Sequence, residues 1–173
     1  MKLSERIFNH YCRKHAAKSH SFPTWENVQT VLLLFESDIT EKNLQVKQLA
    51  KELQQQGKDV TAWGYVDNKN ALSAILRDYR VLSRRDTNIF HKPKELHLKD
   101  LRRMHFDLVI DLSLNDILPL RYLMLYADAG FKAGRQTQEP YLADFMVMNG
   151  DNDDPAYLFD QILYYLKNIK SND

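Results

Sequence analysis

The sequence predicts an α/β domain of the three-layer, doubly wound kind: a mostly parallel, Rossmann-like sheet of five or six strands, preceded by an amphipathic helix. Three observations carry this. Short apolar runs rich in strand formers recur along the chain, among them NVQTVLLLF (Asn27–Phe35) and FDLVIDL (Phe106–Leu112). Segments with helical spacing of apolar residues lie between them. Connections of that length between strands require crossovers, and right-handed crossovers build a parallel sheet.

Taken in order, Leu3, Ile7, Phe8, Tyr11 and Cys12 form one apolar stripe, so residues 1–21 read as a helical appendage and residues 22–173 as a single domain. The run ending at Phe35 is a buried strand. Asp38, with Glu41 three residues later, has the pattern of a capping box for a helix that turns Ile39, Val46, Leu49, Ala50 and Leu53 inward and stops at Gly57. Val60–Val66 is a second strand. Leu72, Ile75, Leu76 and Tyr79 sit at helical spacing and predict a short helix leading to a strand near Arg80–Ser83. Pro93 interrupts regular structure, and a short helix is expected over Lys99–Met104. After the FDLVIDL strand, Asn115 or Asp116 is expected to cap a largely buried helix running to Ala129 and ended by Gly130. Phe131–Ala133 and Ala143–Met148 are further strands. Asp154-Pro155 opens a last helix with Leu158, Ile162, Leu166 and Ile169 inward.

Composition narrows the function classes. The 173 residues include one cysteine, Cys12, so no intramolecular disulfide forms, and the cytoplasm is the expected address. The amino terminus lacks the continuous apolar segment of a signal peptide, and no apolar run approaches the roughly 18 residues of a membrane helix. The net charge of +1 conceals an uneven distribution: Met1–His20 carries +4, Arg77–Arg103 carries +5, and the remainder −8. Only five glycines are present, and neither GxGxxG nor GxxxxGK[ST] occurs, which argues against a glycine-lined phosphate site.

Open α/β sheets bind ligands outside the carboxyl ends of their strands. There this chain places Glu36, Ser37 and Asp38, then Asp67, then Asp111, Ser113, Asn115 and Asp116. This acidic edge disfavours a bound polyanion. Of these, Glu36, Asp111, Ser113 and Asn115, together with Lys132, are the expected lining of a ligand pocket. Carboxylates are hard oxygen donors, so Glu36, Asp38 and Asp111 could instead hold Mg²⁺, with Lys132 neutralising a phosphoryl group. The six histidines show no ligand spacing, so no zinc site is expected. No cofactor is expected either.

Four segments, GYVDNKNAL (Gly64–Leu72), RRDTNIFHKPK (Arg84–Lys94), the run Phe106–Arg135 and DFMV (Asp144–Val147), together resemble an uncharacterised bacterial family of small α/β proteins, a domain of unknown function. The resemblance implies the fold and no activity. In that family a glycine commonly stands where this chain has His91. The run from Asp107 to Arg135 is also similar to the amino-terminal half of heptosyltransferase-like glycosyltransferases, which implies at most a sugar- or acceptor-binding half.

Three readings of function stay open. The first is a non-enzymatic module binding a small polar ligand or a protein. The second is a Mg²⁺-dependent phosphotransfer or hydrolase enzyme using Glu36 and Asp111, and the third an anion-binding protein using the two basic segments. Self-association through the amino-terminal helix is expected; nucleic-acid and membrane partners are not.

Overall fold

The computed structural model describes residues 3–15, 22, 24–37, 40–68, 74–75, 78–137 and 142–169. The expected capping box at Asp38 and the segments 69–73 and 76–77 lie outside them. Helix α1 spans Leu3–Lys14, β1 Thr30–Glu36, α2 Thr40–Gln55, β2 Asp59–Val66, β3 Ala74–Ile75 and β4 Tyr79–Ser83. Then come α3 Glu95–Arg102, β5 His105–Asp111, α4 Leu118–Tyr126, β6 Asp128–Arg135, β7 Phe145–Val147 and α5 Pro155–Asn168.

Six strands run parallel in the order β4-β2-β1-β5-β6-β7, and the two-residue β3 joins β4 antiparallel at one edge. Counted along the chain, the parallel strands follow 3-2-1-4-5-6, the Rossmann-like winding, with its switch between β1 and β5. Both faces of the sheet are covered, as an all-parallel sheet requires. Val31, Leu33 and Phe35 of β1 face a core shared with α2 and α5. Leu32 and Leu34, alternating with them, face a second core shared with α1, α3 and α4.

Several elements end where local chemistry stops them. Gly57, at φ 81°, closes α2, with its N–H on the Gln54 carbonyl and that of Lys58 on Leu53. Asp154 caps α5 by accepting from the Ala156 N–H at 2.9 Å. Gly64 faces Phe35 across the β1–β2 register, and a Cβ there would meet the Phe35 ring at 2.6 Å.

The structure corrects four expectations. Residues 74–75 are a strand, because they pair with Arg80 and Val81 of β4, and sheet pairing outweighs the helical spacing around them. Helix α3 begins at Glu95, two residues after Pro93, and ends at Arg102. Ile169 lies just past the end of α5 and is exposed. Helix α4 starts later and stops earlier than expected. Its N-cap is Ile117 with no side-chain cap, since Asn115 and Asp116 are bonded elsewhere. It stops at Tyr126 because Asp128 and Ala129 pair with His105 and Phe106 of β5. Gly130 is therefore a strand residue, and a Cβ there would come within 3.2 Å of the Asp107 carbonyl oxygen.

Helix α1 lies against its own chain. Phe8 is fully buried, with its ring edge-on to Tyr122 of α4 at 4.8 Å, and Cys12 is buried beside it. Among the described residues no helix is long and apolar enough to cross a membrane.

Candidate functional site: a cleft at the carboxyl edge

At the switch point β1 and β5 lie side by side, Leu34 opposite Asp111. A doubly wound fold opens its binding crevice here, but this one is bridged. The buried Glu36 carboxylate accepts from the Asn115 N–H at 2.6 Å and from Asn115 Nδ2 at 3.0 Å. Asp111 Oδ1 accepts from the Ser113 N–H at 2.9 Å and from Ser113 Oγ at 2.6 Å. Two carboxylates at strand ends thus pin the loop that leads into α4. An amide that could have cradled a phosphate is taken by a carboxylate.

Burial pushes the Asp111 carboxyl up to about 6; the Ser113 hydrogen bonds oppose that shift, Glu36 adds to it and Arg135 opposes it. Of the five residues singled out by sequence, Glu36, Asp111, Ser113 and Asn115 are brought together. Lys132 is not. Its ammonium donates to the carbonyls of Met124 (2.6 Å) and Leu125 (3.4 Å) at the far end of α4, where burial pushes it down to about 8.

The pinned loop forms one wall of a cleft of about 190 Å³. Helix α1 contributes Ser4 and Glu5, the end of β2 contributes Tyr65 and Asp67, and the loop between β4 and α3 contributes His91. Asp116, Ile117, Leu118, Pro119 and Arg121 complete the lining. The Tyr65 hydroxyl donates to Asp67 at 3.1 Å, and burial, reinforced by that carboxylate, holds the phenol protonated. Asp116 pairs with Arg135 at 2.9 Å. Arg121 is buried, with its guanidinium 4.5 Å above the Phe8 ring.

His91 has φ 63°, the left-handed conformation that favours glycine. The loop that carries it is built by its own hydrogen bonds. Asn88 Oδ1 accepts from the Phe90 and Lys92 amides, the Asn88 N–H reaches the Lys92 carbonyl, and Thr87 bridges Pro93. Below it, the Ser83 amide and hydroxyl donate to Asp86, whose other oxygen lies 3.3 Å from Nε2 of the buried His97.

Sequence reasoning reached Asp67 and Asp116 as strand-end acids but missed Glu5, His91 and Arg121. The available signal for Arg121 was its being the single charge in LPLRYLMLY. Nothing local marked Glu5, which enters only because α1 folds back.

The two basic segments also meet. The Lys92 ammonium lies 4.3 Å from the Tyr11 ring centre, while Arg102 lies over Tyr126 of α4, 5.0 Å from its ring centre. Among the described residues no three of His, Cys, Asp or Glu are grouped to hold a metal ion.

A family model, a family of unknown function (DUF6913), matches residues 2–169, nearly the whole chain. The chain belongs to this family. The match includes α1, so the helix that closes the cleft lies within the family's own span. No curated protein and no solved structure matches the chain.

Proposed function

We propose that this member of the family is a non-catalytic binding domain that takes a small polar molecule bearing ammonium or hydroxyl donors in the cleft beneath α1. The observation that carries the reading is convergence: Glu5, Asp67 and Asp116, from three separate elements, border one concave space. Carboxylates accept and do not donate, so a donor-rich ligand complements them. Glu36, Asp111, Ser113 and Asn115 act here as positioning residues, since their mutual hydrogen bonds fix the wall that holds Asp116. Both Glu36 oxygens already accept from Asn115, so a metal ion there would compete with the bonds that hold the loop. With its single cysteine buried on α1, the protein would work in the cytoplasm; Phe8 and Cys12 of the apolar stripe are taken up by α4 of the same chain, so copies associating through α1 would have to use what that docking leaves exposed, Leu3 foremost.

The test is a thermal-shift and calorimetric titration of the full chain with ethanolamine, putrescine and glycerol. At least one should raise the melting temperature, because a ligand at 100 times its Kd adds about 2.7 kcal/mol. Asp67→Asn should lower the affinity severalfold, while Glu52→Gln on α2 should leave it unchanged. No response to any of the three, or one that is the same in Asp67→Asn, would overturn the reading.

A further inference from the structure

The two helices that share one side of the sheet turn different faces to solvent. Helix α2 presents mainly amides and lysines, Gln45, Lys47, Gln48 and Lys51. Helix α5, PAYLFDQILYYLKN, presents Tyr157 and Tyr164, two turns apart on one line, with Tyr165 on a flank of that line, all three exposed. The row of rings continues onto the edge of the sheet: Tyr165 stands 5.5 Å from Tyr164 and 5.8 Å from Phe145 of β7. The inner side of α5, with Leu158, Phe159, Ile162 and Leu166, faces the core. Most of its circumference is thus apolar or aromatic, the pattern of a helix covered on both sides. We propose that the outer face of α5 is covered by a second copy of the chain, whose own α5 packs antiparallel to it across a two-fold axis beside Tyr164.

Charge selects that occupant. Asp160 and Lys167 are the only charged residues in α5; both are exposed, and helical spacing sets them on the flank of the tyrosine line opposite Tyr165. A two-fold axis relates identical patches, so whatever one copy presents must complement itself. With the axis level with Leu163 and Tyr164, antiparallel helices bring Asp160 of each copy opposite Lys167 of the other, on the same flank. Both ion pairs form together, and the Tyr164 rings meet at the centre, where aromatic side chains are favoured. A parallel pairing would set like charge against like. Lys167 lies 5.3 Å from the Trp25 ring centre, a ring contact that leaves N–H donors for a carboxylate. A net charge of +1 puts little long-range repulsion between two copies. Because α1 packs on the other side of the sheet, this pairing leaves the cleft open and is independent of what binds there.

The experiment is sedimentation of the full chain over a concentration series. The weight-average mass is expected to rise from 20.4 kDa toward twice that value. The Tyr164 side chain is 64% exposed, so Tyr164→Ala should leave the melting temperature of the dilute protein unchanged while weakening dimerisation about tenfold or more. Asp160→Lys and Lys167→Asp should each weaken it by about as much, because each turns both ion pairs into repulsions, and the double variant should restore it. A mass that stays at 20.4 kDa at every concentration overturns the proposal. So does a dimer indifferent to Tyr164→Ala, or one that Leu3→Glu on α1 dissociates instead. If each single charge reversal breaks the dimer and the double variant does not recover it, the antiparallel two-fold pairing is wrong and the assignment falls with it.

Discussion

Asp111 ends a strand in the middle of the sheet, under a loop that it helps to hold, and its titration should be visible in the stability of the whole protein. Its carboxyl is pushed from 3.8 up to about 6 in the folded state. Between those values the native protein keeps a proton that the unfolded chain has released, so this group's contribution makes stability fall as pH rises through the window. The full span corresponds to about 3 kcal/mol as an upper bound. Asp111→Asn should flatten the slope of unfolding free energy, measured in urea between pH 4 and 7, relative to the wild type. An unchanged slope would show that the carboxyl is not held as described. At this scale the sequence was partly legible. A carboxylate inside LVIDL had to find a partner, and it found Ser113, two residues on. That Glu36 would reach Asn115, 79 positions away, is a fact of strand order that no local pattern encodes.

Among the elements, α1 has the most to say about function, because it both closes the cleft and completes a core. Phe8 is fully buried between Tyr122 and Arg121. Phe8→Ala should cost about 3–5 kcal/mol, as truncation of a buried aromatic does. It should also weaken ligand binding, since Ser4 and Glu5 depend on the same docking. A loss well under 1 kcal/mol in denaturant unfolding would mean that α1 is only loosely attached. The amphipathic stripe was readable from Leu3 to Cys12; its destination was not, because the complementary surface belongs to α4. Helix α4 illustrates the reverse difficulty. Its apolar run has no charged face to set a period, so the end of the helix was decided by β6 pairing with β5 rather than by Gly130. Residues 74–75 show a related effect: two residues on a sheet edge carry too little pattern to compete with a helical spacing around them.

For the molecule as a whole, the sheet divides the interior into two cores, and the protein carries one tryptophan in each: Trp25 on the α2–α5 side and Trp63 on the α1–α3–α4 side. Fluorescence of Trp25→Phe reports the second core, and that of Trp63→Phe the first. Because β1 contributes to both, the two are expected to unfold as one unit, so within each variant the fluorescence midpoint should coincide with that from far-ultraviolet circular dichroism. Separate transitions would show two independently stable layers. The winding itself was legible because alternating strands and helices leave few ways to connect. The cleft was not, because its walls come from α1, β2, α4 and the loop carrying His91, which only the folded arrangement brings together.

The position of β1 has a consequence for the making of the protein. Its two neighbours in the sheet, β2 and β5, are delivered at very different times. The Thr30–Asp107 hydrogen bonds that tie β1 to β5 join residues 77 apart in the chain. At a synthesis rate of about 5–20 residues per second, that interval lasts roughly 4–15 s. For that time one long side of an almost wholly apolar strand has its amides and carbonyls unclaimed on the growing polypeptide. Nascent chains of this kind depend on whatever shields that side until His105–Asp111 arrives.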